Sequence, residues 1–589
     1  MKPKNAWASG VTQSSQVDVT PVWSQNINGT TETIGVTDTG LDLTSCFFNQ
    51  TCTAPYDTED VSCEKVTSYE CFVDCTDAVE GHGTHVTGSA AGETAATYTA
   101  YNGMAKGAKV AFYDIGDSDE LLSLPDDIST DMWQVLYDRG ARVITNSWGS
   151  ESDNSYSVDS EAADQFMYDN PDAVLVFAAG NEGEFGENTV TAPSTCKNAI
   201  TVGASMNAAD SWSTINTNLG TSYDTSVYNS DSMAYFSSRG PTSDGRLKPD
   251  VCAPGYWVLS AMSAGPDSTS DHCDLLYLAG TSMAAPVVAG NAVLVREYFT
   301  QGFYPSGEAS SADSLEPSGA LVKAMLISSA QDVSELVDID GSTTAIDQPG
   351  LEQGYGRIDL SKVLYFASET DGVTTLEAYG STDTDSDMYV VMEKRNQVDT
   401  YTFNVTGGSV RATLAWTDPP GSPGSSAVLV NDLDMVVTED DTGTEYFPLA
   451  SEYTDGLNNV KKVNLTSADN VTISYTISIT ASSLSSDQPY ALVILGGRLV
   501  STATEEGVED SGDWWESWDS LGWDTLYAIF IALIALWCCW SCCCDRGRKR
   551  DERTRQYHHG RYVAMDGVTP VPAAGPVRTA SQAHRYSGR

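Results

Sequence analysis

Basic residues are scarce in this chain. It has 31 Lys and Arg against 81 Asp and Glu, a formal net charge of −50 over 589 residues. Nucleic acids are bound through clustered cations that displace counterions. No such cluster precedes residue 545, so nucleic-acid binding is set aside. Histidine is scarcer still: six in all, of which only His82, His85 and His272 precede the C-terminal tail. Imidazole chemistry in the main body therefore falls to one of those three. Residues 1–30 contain no apolar run of the kind a secretory leader carries. The eight cysteines before the tail hold no paired C-x-x-C, which speaks against structural zinc.

What is present points to an oxidising compartment. Cys46, Cys52, Cys63, Cys71, Cys75, Cys196, Cys252 and Cys273 form an even set, as disulfides require. Five of them lie in the short segment between residues 46 and 75, so at least one must pair outside it or stay free. Sequons at Asn28, Asn49, Asn404, Asn464 and Asn470 mark candidate glycosylation sites. Two long stretches lack charge. Thr525–Cys544, "TLYAIFIALIALWCCWSCCC", also lacks Pro and Gly and is about one bilayer core in length. Trp residues flank it and "RGRKR" follows, so a single membrane span is expected, with residues 499–524 an acidic, Trp-rich tether. The positive-inside rule then places the large acidic portion outside the cell or in a lumen and the basic tail, 545–589, in the cytosol. Cys538, Cys539, Cys542, Cys543 and Cys544 become palmitoylation candidates. The second uncharged stretch, Leu275–Val295, contains Gly280, Pro286, Gly290 and Asn291, and reads as a buried helix rather than a span. Tyr562–Met565, "YVAM", has the form of a tyrosine-based sorting signal.

Three strings carry the chemistry. "ETIGVTDTGLD" places Asp38 just after a short apolar strand. "GHGTHVTGSAAG" holds His82 and His85 among small residues. "GTSMAAP" holds Ser282. A serine hydroxyl is a poor nucleophile unless an imidazole takes its proton and a carboxylate orients that imidazole. The order Asp, His, Ser differs from the His-Asp-Ser and Ser-acid-His orders of two other hydrolase groups. Together the three strings resemble the motifs of the subtilisin-like serine proteases.

The resemblance covers about residues 15–365. It implies Asp38 as orienting acid, His82 as general base and Ser282 as nucleophile, with His85 structural. It also implies Asn181, in "VFAAGNEG", as the oxyanion-hole amide, and Ser147, Trp148 and Gly149 of "VITNSWGS" as substrate strand and pocket wall. Glu182, with Glu151 and Asp153, makes an acidic rim that would favour basic substrates. The implied fold is α/β, a parallel sheet flanked by helices, with its site beyond the carboxyl ends of the strands. The substrate would be a protein or peptide. The chemistry requires no cofactor; structural calcium is allowed for, without named ligands. The rival reading is a catalytically silent adhesion or scaffold protein on the same fold.

Domain limits follow. Residues 1–14 form an N-terminal segment, with leader and pro-segment expected to lie outside the sequence, and 15–368 form the catalytic domain. From about Val373, apolar and polar residues alternate in runs separated by turn residues. Residues 369–498 are therefore expected to form an antiparallel β-sandwich of jelly-roll type. "LAWTDPPGSP" and "LVNDLDMVV" resemble the C-terminal β-domain of some secreted subtilisins, akin to the P-domain of proprotein convertases, whose implied role is to brace the catalytic domain.

Overall fold

The structure is a computed structural model. It describes residues 6–507, apart from 54, 96–97, 118–119, 151, 370–372 and 451–453, together with 562–564 and 571–572. Thr525–Cys544, with its five cysteines, lies outside the described residues. Among the described residues no helix is long and apolar enough to cross a membrane.

Apolar runs with β-branched residues become buried parallel strands. In chain order these are β1 (Thr33–Asp38), β2 (Val66–Cys71), β3 (Lys109–Asp114) and β4 (Ala141–Asn146). A short strand, β5 (Trp148–Ser150), follows at once, then β6 (Val174–Ala178), β7 (Ile200–Ser205) and β8 (Val251–Pro254). Seven of them lie parallel in the order β8-β7-β6-β4-β1-β3-β2. The chain leaves β1 toward one edge and returns to the other side of it at β4. The crevice at such a reversal, beyond the carboxyl ends, is where open α/β sheets bind ligands. Asp38 ends β1, and Asn146 ends β4 beside it.

Three helices matter to the site. Helix α1 (Ala6–Ser14) buries Trp7, Ala8 and Val11, and Asn291 Nδ2 donates to Thr12 Oγ1 at 3.1 Å. The expected boundary at residues 14/15 is therefore no boundary: this segment is part of the catalytic core. Helix α2 (His82–Ala91) is buried at every position, and α3 (Thr281–Thr300) from Thr281 to Phe299. The two pack together. The uncharged Leu275–Val295 thus divides into strand β9 (Leu275–Leu278) and the first part of α3.

The C-terminal domain is antiparallel, as its alternation requires. Its main strands are β10 (Val398–Ala415), β11 (Asp432–Glu439), β12 (Val460–Ser483), β13 (Ala491–Leu495) and β14 (Arg498–Glu505). They belong to one connected seven-stranded sheet, in which β10 pairs with β12 along nearly its whole length. The expected boundary at residue 498 moves outward, because β14 pairs with β10 from Arg498 to Glu505. Its largely exposed burial pattern is what made it read as tether.

The seam between domains is polar and buried. Lys197 and Asp418 form an ion pair at 0% exposure on both sides. Asp418 also accepts the N–H groups of Asn431 at 2.7 Å and Val430 at 2.9 Å. Asn198 exchanges two hydrogen bonds with the Asp418 backbone, at 2.8 and 2.9 Å. Beside them, Ala415, Val460, Ala491, Val493 and Leu495 join the hydrophobic core of the catalytic domain. A buried charge needs such full pairing. The "WTDPPG" string is therefore the dock.

Two further strands come from the tail. Tyr562–Ala564 pairs antiparallel with β5, and Val571–Pro572 pairs antiparallel with β9.

Candidate active site

Asp38 lies where β1 ends. Its Oδ1 accepts the N–H of Thr39 at 2.8 Å and is 2.6 Å from His82 Nδ1. Both side chains are about 2% exposed or less. His82 opens α2, whose first turn sits tight against the β1 loop. A Cβ on Gly83 would stand 2.2 Å from the Gly40 carbonyl oxygen, so no other residue allows that approach. The three histidines part company here. His82 holds the carboxylate. His85 Nε2 lies 3.1 Å from the Val258 carbonyl oxygen and 3.2 Å from that of Leu276, tying α2 to the strands beside it. Burial pushes its pKa down to about 3, so it is neutral and donates. His272 Nε2 pairs with Asp42 Oδ2 at 2.9 Å.

Asp77 had no signal in the sequence beyond one acid among many. It is buried, and it supplies what the start of α2 lacks. Gly81 at the cap position has no side chain to give; Asp77 Oδ2 accepts the N–H of Thr84 at 2.9 Å and its hydroxyl at 2.5 Å. Its Oδ1 accepts from Thr39 Oγ1 at 3.0 Å, whose oxygen in turn accepts the Gly83 N–H at 2.9 Å. Asp77 thereby ties the Asp38 loop to the His82 helix. Burial pushes its carboxyl up to about 7, against the pull of the Thr84 bonds.

Ser282 is the second residue of α3. Its Oγ donates to the Ser147 carbonyl oxygen at 3.0 Å, and Ser147 Oγ donates back to the Ser282 carbonyl oxygen at 2.9 Å. Pro286 explains the second bond. It is the sixth helical residue, past the first turn where a missing N–H is tolerated, and its absent N–H would have served Ser282. The Ser147 hydroxyl fills that place. The start of a 20-residue helix also brings partial positive charge to the nucleophile.

Asn181 follows β6 by three residues, through Gly180 at φ +111°. Its Oδ1 accepts the N–H of Thr281 at 2.9 Å and the Thr281 hydroxyl at 3.0 Å. That fixes the amide plane of Asn181 against the residue before Ser282. Beneath the cleft, Trp148 Nε1 donates to Thr37 Oγ1 at 2.8 Å, Thr37 donates to Asn146 Oδ1 at 2.8 Å, and Trp133 Nε1 donates to the same oxygen at 2.9 Å. The Trp148 indole is buried, so its side chain braces the floor instead of lining a pocket wall. Backbone from Trp148 to Ser150, including Gly149, offers the strand edge. Glu182 and Asp153 are exposed. Glu151 lies outside the described residues.

Six of the eight main-body cysteines are paired: Cys46–Cys273, Cys52–Cys63 and Cys71–Cys75. Cys196 and Cys252 are free and buried, so the even set is not wholly a disulfide set. Asn49, Asn404 and Asn464 are exposed and Asn28 is half-buried. Asn470 lies within β12. Among the described residues, no group of three or more His, Cys, Asp or Glu is placed to hold a metal ion.

A strand-end acid on an imidazole and a serine at a helix start both lie at the carboxyl end of the parallel sheet. The sequence model of the Subtilase family matches residues 29–357, more than half of the chain, and the chain belongs to that family. It is similar to the serine protease/ABC transporter B family protein tagD of Dictyostelium discoideum, 30% identical over 80% of this chain and 31% of the relative. The tagA protein of the same organism is 32% identical over 74% of this chain and 28% of its own length. Pyrolysin of Pyrococcus furiosus is 29% identical over 50% of the chain and 22% of its own. The chain thus spans about a third or less of these relatives. Among solved structures, the prenylagaramide maturation protease PagA aligns with 58% of this chain and 95% of its own at 22% identity, with a TM-score of 0.39.

Proposed function

We propose that the protein is a serine endopeptidase that hydrolyses peptide bonds through an acyl-enzyme on Ser282. The observation that carries this reading is the His82–Asp38 contact of 2.6 Å, at the strand crevice where α3 presents Ser282. In the reading, His82 takes the Ser282 proton as Oγ attacks the carbonyl carbon. Asp38 stabilises the imidazolium so formed. Asn181 and the Ser282 N–H face the developing oxyanion, worth about 3–4 kcal/mol for one such donor. His82 then returns the proton to the leaving amine, and water repeats the sequence to release the acid. The exposed Glu182, next to Asn181, would favour basic substrate residues.

A fluorophosphonate probe tests the reading. The expected result is one adduct on Ser282, lost in Ser282→Ala. A folded, processed protein that takes no adduct would make the catalytically silent scaffold the better account.

Where the enzyme works has two readings. The apolar length of Thr525–Cys544 and the basic residues after it support a single-pass anchor, with the catalytic domain extracellular or lumenal and the tail cytosolic. The pairing of Tyr562–Ala564 and Val571–Pro572 with the catalytic domain supports a tail on the same side as the cleft. Protease protection of the tail in sealed membranes separates them.

A further inference from the structure

Where the two domains meet, a cavity of about 380 Å³ opens, of the size that small-ligand sites have. The catalytic domain lends it Tyr355, which is buried, and Asp332 and Gln348, which are exposed. The C-terminal domain lends it half-buried Tyr446 and Phe447, buried Lys462 and exposed Asn464. Two hydrogen bonds tie the domains together around it. Tyr355 Oη donates to the Val460 carbonyl oxygen at 3.4 Å, and Lys462 Nζ donates to the Ile327 carbonyl oxygen at 2.8 Å. Asn464 is also the first residue of the sequon Asn464-Leu465-Thr466. Side chains alternate along β12. Leu465 turns into the C-terminal core, so Asn464 and Thr466 share the opposite, exposed face. This half of β12 pairs with β10, with Asn464 opposite Arg411, whereas β11 joins β12 only from Tyr475 to Ser483. The sequon thus stands beside the seam, where no strand pairs on the β11 side among the described residues.

Aromatic rings lined up with a carboxylate and an amide suit a sugar. A pyranose offers apolar C–H groups to the rings and a rim of hydroxyls to Asp332 and Gln348. A sugar joined to Asn464 Nδ2 would start at the lining of this space and need no search to reach it. From this juxtaposition we propose that Asn464 carries an N-linked glycan and that its first sugars seat in the seam cavity, against Tyr446 and Phe447, where they touch both domains. The proposal is independent of the endopeptidase reading. It rests on the main body entering an oxidising lumen, which Cys46–Cys273, Cys52–Cys63 and Cys71–Cys75 support. In the transfer, Asn464 Nδ2 forms a bond to the anomeric carbon of a lipid-diphosphate-linked oligosaccharide. The bond from that carbon to the diphosphate oxygen breaks, the lipid diphosphate leaves, and one amide proton goes to solvent. The host's transferase does this on the extended chain, before the domains close, and the seat then forms around the sugar.

The full 589-residue chain, made behind a secretory leader in a eukaryotic host, tests the proposal. Native protein is treated with peptide N-glycosidase F, which turns each released site into Asp, and peptide mass spectrometry follows every sequon in time. Asn464 is expected to be occupied. It should lose its glycan about tenfold or more slowly than exposed Asn404 of the same domain, because its seat must first open. Denatured protein should lose both at one rate. Phe447→Ala and, separately, Asp332→Ala at an exposed position should raise native release at Asn464 toward the Asn404 rate. A chain glycosylated at Asn404 but bare at Asn464, or bare at every sequon, overturns the proposal. So does a glycan at Asn464 that leaves the native protein as fast as the one at Asn404, or protection that survives both substitutions. None of these readings uses substrate turnover, so the endopeptidase reading can fail without this one.

Discussion

Two buried aspartates set the cleft beside the seam. Asp418 is held by an ammonium and two backbone N–H groups, and its own backbone is gripped by Asn198. Asp38 is equally buried, but its Oδ1 is shared between one backbone N–H and an imidazole. Saturated pairing fixes a position. A carboxylate shared with an imidazole fixes that ring's orientation, the part the proposed mechanism gives Asp38. The same residue type, equally buried, ties two domains together in one place and aims a ring in the other, according to its partner.

The largest test of that contrast is on turnover. Ser282→Ala and His82→Ala are expected to cost about 10⁴- to 10⁶-fold in kcat, and Asn181→Ala about 10²- to 10³-fold, with melting temperatures little changed. Lys197→Met should do the reverse. It strands the buried Asp418 charge and should cost about 3–5 kcal/mol by chemical denaturation, with kcat retained in the molecules that stay folded. A Lys197→Met variant with wild-type stability would erase the distinction. Removing the Cys46–Cys273 bridge, which closes 227 residues around the site, should cost about 2–5 kcal/mol.

Two groups near His82 sharpen the contrast with opposite pH signs. His85 is buried neutral with its pKa pushed down to about 3. Its contribution to stability is whole above the unfolded value and is lost as pH falls toward 3. Asp77 is pushed up to about 7. The native state then holds the proton more tightly than the unfolded chain, so stability on its account falls as pH rises from about 4 to 7. Stability-versus-pH curves should differ from wild type over pH 4–7 in Asp77→Asn, and below about 6.5 in His85→Gln. The smallest effect concerns the rim. Glu182→Lys should lower kcat/KM severalfold on Lys- and Arg-containing peptides only, which steady-state kinetics on matched apolar peptides would check.

Much of the site was legible because its chemistry dictates residue types in short strings. Asp38 is expected just after a strand from its flanking residues, while His82, Asn181 and Ser282 stand out through the strings that carry the family resemblance. The parallel sheet was legible for a related reason: strands such as "ARVITN" are apolar on both faces. The seam was not, because Lys197 and Asp418 are 221 residues apart and each looks like ordinary surface charge. Asp77 was hidden by the abundance of acids around it. Helix α1 was missed because nine residues with two Ser and a Gly carry little periodic signal; Trp7 and Val11 are buried by tertiary packing. Strand β14 was taken for tether because an edge strand with a solvated face is polar by composition.

The reciprocal bonds between Ser147 and Ser282 limit how far the nucleophile's helix can travel. A graft of residues 275–295 onto another scaffold would carry the serine, the helix dipole and Pro286, but not the hydroxyl from 135 positions earlier that serves the Ser282 carbonyl. The transplanted helix would open on an unserved acceptor, a penalty of about 1–3 kcal/mol if buried. The portable unit is therefore not a motif but a pair of segments, and a designer borrowing this nucleophile must import both.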